Sequence, residues 1–171
     1  MKMKRIFILL SAAFLLLGCS SLAQLSADSS ADASELVNEA VNNGNLCFEV
    51  NFIAPSRGPS QPSYDGYKLT IRDGKVDAFL PFFGVNYYPT VYGTGSSGIS
   101  FDDCPVTIDD SRSRPEKGKY VWRFVAVDDN ERVDVTLSFS SNGNGQLVCS
   151  PANRSSMTYR GNLTYIVVKA E

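Results

Sequence analysis

The sequence predicts an all-β domain, an antiparallel meander of eight to ten short strands forming a curled sheet or up-and-down barrel, with one short N-terminal helix. Three observations predict it. From Leu46 onward, apolar residues recur at every second position, the period of a strand with one buried face. Tight-turn pairs such as Asp73-Gly74 and Asn142-Gly143 separate the alternating runs. Helical periodicity is confined to one segment before residue 44. Because hairpin turns dominate and closure removes exposed edges, a curled sheet or barrel is favoured over a sandwich.

Residues 1–18 read as a sorting signal. Lys2, Lys4 and Arg5 precede an apolar run from Ile6 to Leu17, which is too short to span roughly 30 Å of hydrocarbon comfortably. The run ends in Leu16-Leu17-Gly18-Cys19, the pattern of a lipobox, so Cys19 is the expected lipidation site. Acyl chains gain about 0.8 kcal/mol per buried CH₂, and several chains anchor where one would not. Residues 19–33 form a Ser/Ala/Asp-rich tether, and the domain is expected over 34–171. It begins with a helix over 34–43, capped by Asp32 and Glu35, striped by Leu36, Val37, Ala40 and Val41, and ended by Gly44. Ten residues are marginal in water, so this helix needs to dock.

Phe48, Val50 and Phe52 alternate with Glu49 and Asn51, and Pro55, Pro59 and Pro62 break the pattern. Tyr67, Leu69 and Ile71 then face one way, and Asp73-Gly74 supplies a type I′ turn. That turn sets Arg72 opposite Lys75, Ile71 opposite Val76, Leu69 opposite Ala78 and Tyr67 opposite Leu80, so both strands put their apolar residues on one face. Ile99 and Phe101 continue the meander toward Pro105, Val106 and Ile108. Tyr120 to Val127 is apolar on both faces and reads as a central strand. Val133 to Phe139, Leu147 to Cys149, Met157 to Tyr159 and Leu163 to Val168 complete the set.

Absences narrow the chemistry. The chain has no histidine, which removes His-dependent triads, His-based zinc sites and HExxH proteases. The glycines of Gly93 to Gly98 precede a strand rather than a helix, so they do not form a dinucleotide loop. Nothing calls for a cofactor or metal: Asp102-Asp103, Asp109-Asp110 and Asp128-Asp129 read as turn chemistry. Without its leader the chain keeps thirteen basic against eighteen acidic residues, a balance that argues against nucleic acid and against electrostatic membrane binding. Cys104 reads as a buried structural thiol. In an oxidising compartment, Cys47 and Cys149 could form one disulfide; three unpaired buried thiols is the other arrangement.

Phe79 to Tyr92 is the most unusual segment. Phe82, Phe83, Tyr87, Tyr88 and Tyr92 cluster with Asn86 among Pro81, Gly84, Pro89 and Gly93. Rings on a stiffened loop offer contact area at low entropy cost, which marks a candidate binding loop; a lid plugging one end of the sheet is the structural alternative.

Leu80-Pro81-Phe82-Phe83-Gly84-Val85-Asn86-Tyr87 resembles the LP(Y/F)FGxxY signature of a family of small Bacteroidetes envelope proteins, domain of unknown function family 4251. Gly98-Ile99-Ser100-Phe101 resembles a second element, and Asn153 to Gly161 a closing NRxxxxYxG element. The likeness spans Ala40 to Val168. It implies a lipoprotein or secreted location and supplies no activity, cofactor or catalytic residue. Members commonly carry a basic residue where this chain has Val85, which weakens any anion-binding role for the loop. Arg154 and Tyr159 of the closing element are candidates to clamp the loop, by stacking or by hydrogen bonds to its carbonyls.

The expected function is therefore a non-catalytic cell-envelope lipoprotein, a binding or assembly module for an unknown envelope protein. A barrel-type carrier of a small apolar ligand is the alternative, and a carboxylate-dependent glycan hydrolase a third reading. The membrane is a partner through the lipid anchor, and nucleic acid is not. Outer-membrane attachment is expected on the periplasmic side, since Ser20-Ser21-Leu22-Ala23-Gln24 lacks the acidic run that sends such lipoproteins to the cell surface, the other location considered.

Overall fold

The computed structural model describes residues 24–87, 98–128 and 131–164. The leader, Cys19, Tyr88, Tyr92 and the Gly93–Ser97 run lie outside these residues. Contacts divide the chain at Asp32: the described part of the preceding unit is helical from Gln24, and the body runs from Ala33 onward.

The body is a nearly closed antiparallel barrel of nine strands. They are β1 (Leu46–Pro55), β2 (Gln61–Pro62), β3 (Lys68–Arg72), β4 (Lys75–Pro81), β5 (Gly98–Pro105), β6 (Lys119–Asp128), β7 (Glu131–Ser140), β8 (Asn144–Pro151) and β9 (Met157–Thr164). Their order is β5-β4-β3-β1-β9-β8-β7-β6, with β2 added beside β1. Two consecutive meanders are thus joined where β9 pairs with β1. The remaining seam lies between β5 and β6. There Asp109 and Arg123 exchange backbone hydrogen bonds of 2.8 and 2.9 Å, and the Cys104 thiol donates to the Val127 carbonyl at 2.9 Å.

The β3–β4 hairpin has the register that alternation dictates, with Arg72 opposite Lys75, Ile71 opposite Val76 and Leu69 opposite Ala78. Asp73 (φ 52°) and Gly74 (φ 74°) both adopt the left-handed conformation that a type I′ turn demands. Inward residues fill the barrel: Phe48, Leu69, Ile71, Leu80, Leu137, Leu147 and Tyr159 are fully buried. Trp122 meets Phe139 edge-on at 5.6 Å, and Tyr120 stacks on the same ring at 5.2 Å.

Helix α1 runs from Gln24 to Asn43, ten residues longer at its start than the alternation of Leu36 to Val41 indicates. Asp32 therefore lies inside the helix rather than at its N-cap position, because alanines interleaved through the polar run suit helix as well as tether. The predicted stripe docks, with Val37 and Ala40 buried and Leu36 and Val41 packed against the core.

Two strand readings are corrected. Phe52 faces outward, because a bulge between Val50 and Phe52 shifts the register and leaves Asn51 and Phe52 both exposed. Strand β6 ends the ladder rather than occupying its centre. Its second apolar face is half-covered by the segment after β5, which bridges to it at Asp109–Arg123 and Arg114–Lys119.

Candidate functional site

The aromatic loop leaves β4 at Pro81 and folds back along residues 153–155, the approach to β9. The Val85 amide donates to Ser155 Oγ at 2.9 Å, and the Ser155 amide donates to the Val85 carbonyl at 2.9 Å. Tyr87 donates its amide to the Asn153 carbonyl at 3.0 Å, and Asn86 bridges to Arg154. Gly84 permits this zipper: a Cβ there would collide with Ser155 Oγ and come within 2.7 Å of the Phe82 ring.

Arg154 and Tyr159 hold the loop from beneath. Tyr159 Oη donates to the Pro81 carbonyl at 2.8 Å, in the interior. The Arg154 guanidinium lies over the Phe82 ring, 4.6 Å from its centroid. It also donates through Nη1 to the Gly98 carbonyl at 2.9 Å and forms a fork with Glu131, through Nε to Oε1 at 2.8 Å and Nη2 to Oε2. A bidentate pair of this type fixes geometry as well as charge. With Arg154 only 10% exposed and Glu131 28%, water screens the pair weakly. The three elements on which the family resemblance rests, the Leu80–Tyr87 run, Gly98–Phe101 and Asn153–Gly161, therefore meet around one guanidinium.

The upper face of the loop is open to solvent. Phe83, Val85 and Tyr87 are 52%, 46% and 64% exposed, whereas Phe82 is half-buried under Arg154. Of the six aromatic-loop candidates, Phe82, Phe83, Asn86 and Tyr87 come together, and Tyr88 and Tyr92 lie outside the described residues. Glu131 and Ser155 escaped the sequence reading. Glu131 stands 23 positions from Arg154, beyond any local spacing rule. Ser155 lies inside the NRSS run, where its adjacency to Arg154 was the available signal.

The cysteines are placed apart. Cys47 pairs with Thr164 at one end of β9 and Cys149 with Met157 at the other. Seven residues of strand separate those positions, about 23 Å at 3.3 Å per residue, against less than 7 Å for a disulfide. All three described cysteines are free, so the Cys47–Cys149 bond is ruled out by register. Burial pushes the Cys149 thiol up to about 12, and burial likewise raises Tyr159, with the Cys149 charge adding and Arg154 opposing. Both groups stay protonated at neutral pH.

Of the acidic pairs, Asp102, Asp103, Asp109 and Asp110 are exposed, and Asp129 lies outside the described residues. Asp103 pairs with Lys75, and Ser111, through its hydroxyl first and its amide second, holds the Asp109 carboxyl below the usual range with help from Arg123. Among the described residues no three His, Cys, Asp or Glu side chains are grouped to hold a metal ion. Among them, too, no helix is long and apolar enough to cross a membrane.

No curated protein matches the chain. A crystal structure of a DUF4251 family protein from Bacteroides eggerthii is similar, with a TM-score of 0.59 at 18% identity over 77% of this chain and 86% of that one. At that identity the likeness is one of fold. The family model for DUF4251, a domain of unknown function, matches residues 28–163, and the chain belongs to that family.

Proposed function

We propose that this chain is a non-catalytic cell-envelope lipoprotein, moored by lipid at Cys19, whose barrel presents the aromatic loop to a protein partner in the envelope. One observation carries the reading: Phe83, Val85 and Tyr87 stand in solvent on a backbone pinned by Tyr159, Ser155, Asn153 and Arg154. A loop kept only as a plug would turn those rings inward. A rigid apolar patch loses little entropy on docking, which is what an interaction anchor needs. The burial of Trp122, Phe124 and Phe139 within the core supports this reading over carriage of a small apolar ligand.

The experiment is crosslinking in live cells from a photoreactive residue at Tyr87, repeated with Phe83→Ala. The expected result is one dominant adduct that disappears in the Phe83→Ala strain while the domain keeps its melting temperature. An adduct of undiminished yield would remove the loop as the contact. The anchor is tested separately: Cys19→Ala is expected to release the protein from sedimented membranes, and continued sedimentation would overturn the mooring.

A further inference from the structure

The outer face of β1, β9 and β8 carries a second feature, which shares no residue with the aromatic loop. Phe48 and Val50 point inward, and unbroken alternation would bury Phe52 with them. The bulge after Val50 turns Phe52 out to 43% exposure, with Asn51 exposed beside it, and Ile53 then returns to the core. Bulges commonly re-aim a side chain at a functional surface. Gly161 makes this one feasible: a Cβ at that position would collide with the Glu49 carbonyl, where the bulged strand presses closest to β9.

Phe52 borders a shallow groove of about 390 Å³. Gly145 and Gly161, paired across β8 and β9 with their Cβ positions turned toward Phe48 of the core, contribute only backbone to it, and Asn51, Asn144, Asn162 and Arg160 line the remainder. Each carboxamide offers an acceptor and two donors, and the guanidinium offers donors only. Among the described residues these four polar heads have no side-chain partner. The groove thus combines one exposed aromatic face with a rim of uncommitted, mostly uncharged hydrogen-bonding groups.

The geometry points to a saccharide-binding site, in which the C–H face of a pyranose ring lies on Phe52 and its hydroxyls are met by the Asn51, Asn144 and Asn162 amides and Arg160. The chemistry selects this ligand class. A purely apolar ligand would strip water from four polar heads without replacing it. A phosphate-rich ligand would find one cation, with the carboxylate of Glu49 opposite Asn162 on the neighbouring strand. A sugar ring has both an apolar face and a polar edge, and it matches a groove built from both.

The test uses the full chain in detergent and saturation-transfer NMR. The probes are oligosaccharides of glucose (α- and β-linked), mannose, xylose, N-acetylglucosamine and galacturonate. At least one is expected to bind, with saturation strongest on the protons of one ring face. Phe52→Ala and Asn162→Ala are each expected to weaken binding at least tenfold at unchanged melting temperature, since both residues are exposed, and Phe52→Trp to retain it. Absence of binding to every probe would overturn the proposal, as would a sugar held equally by wild type and both alanine variants. Binding of galacturonate alone, lost in Arg160→Gln but kept in Phe52→Ala, would replace it with a simple anion contact.

Discussion

Replacing Arg154 with alanine removes three interactions at once: the fork to Glu131, the hydrogen bond to the Gly98 carbonyl and the cation over Phe82. Breaking a buried ion pair by deleting one partner costs about 3–5 kcal/mol. Glu131 retains 28% exposure, so its stranded carboxylate regains part of its hydration and the pair belongs at or below the lower figure. The hydrogen bond to Gly98 and the stacking on Phe82 would each add roughly 1 kcal/mol alone, but groups sharing one guanidinium do not sum. A net loss of about 3 kcal/mol is expected, which lowers the melting temperature by roughly 10 °C for a domain of this size. Circular dichroism melts measure the loss, and limited proteolysis between residues 82 and 98 reads loosening of the loop. A cycle with Glu131→Gln is expected to return a coupling of about 2 kcal/mol. A melting temperature within 2 °C of wild type, or a coupling below about 0.5 kcal/mol, would refute the clamp.

Tyr159→Phe removes the buried hydrogen bond to the Pro81 carbonyl, and a urea-measured loss of about 1–3 kcal/mol is expected; a neutral effect would mean that the hydroxyl contributes nothing. Alkaline pH probes the same region. Folding keeps protons on Cys149 and Tyr159 that the unfolded chain releases near 9.0 and 10.0, so their contribution is complete below pH 9 and falls as pH rises toward 12. The urea midpoint is expected to decline over that window, less steeply in Cys149→Ala, and identical slopes would contradict the assignment. Mass spectrometry of the alkylated, non-reduced protein should find Cys47, Cys104 and Cys149 all as thiols, with Cys149 labelled only on unfolding; a Cys47–Cys149 linkage would contradict the register. Gly161→Ala should cost more stability than Gly84→Ala, since it meets backbone at Glu49 rather than the Ser155 and Phe82 side chains, and thermal melts give the order.

The sequence was most informative where local chemistry and burial agree. Asp73-Gly74 fixed one hairpin to the residue, because the turn and the alternation of Leu69, Ile71 and Val76 admit the same register. It was misleading where a single inserted residue changes the phase. Nothing in Val50-Asn51-Phe52 announces a bulge, since the strain is relieved by Gly161 more than a hundred positions away. Two-sided hydrophobicity placed β6 centrally because it reports cover rather than hydrogen bonding, and the cover came from the chain beyond β5. For the loop, Arg154 and Tyr159 were legible as clamp candidates from residue type. Their partners were less so: Glu131, the Pro81 carbonyl and the Gly98 carbonyl become neighbours only when the barrel closes.

The union of β1 with β9 has a kinetic consequence. The ninth strand in chain order lies between the first and the eighth, so two half-barrels wait with unpaired rims until Met157–Thr164 is delivered. Contacts bridging so many residues delay folding and leave sticky edges open meanwhile. A nascent chain of this topology cannot join its two halves until Met157–Thr164 has emerged.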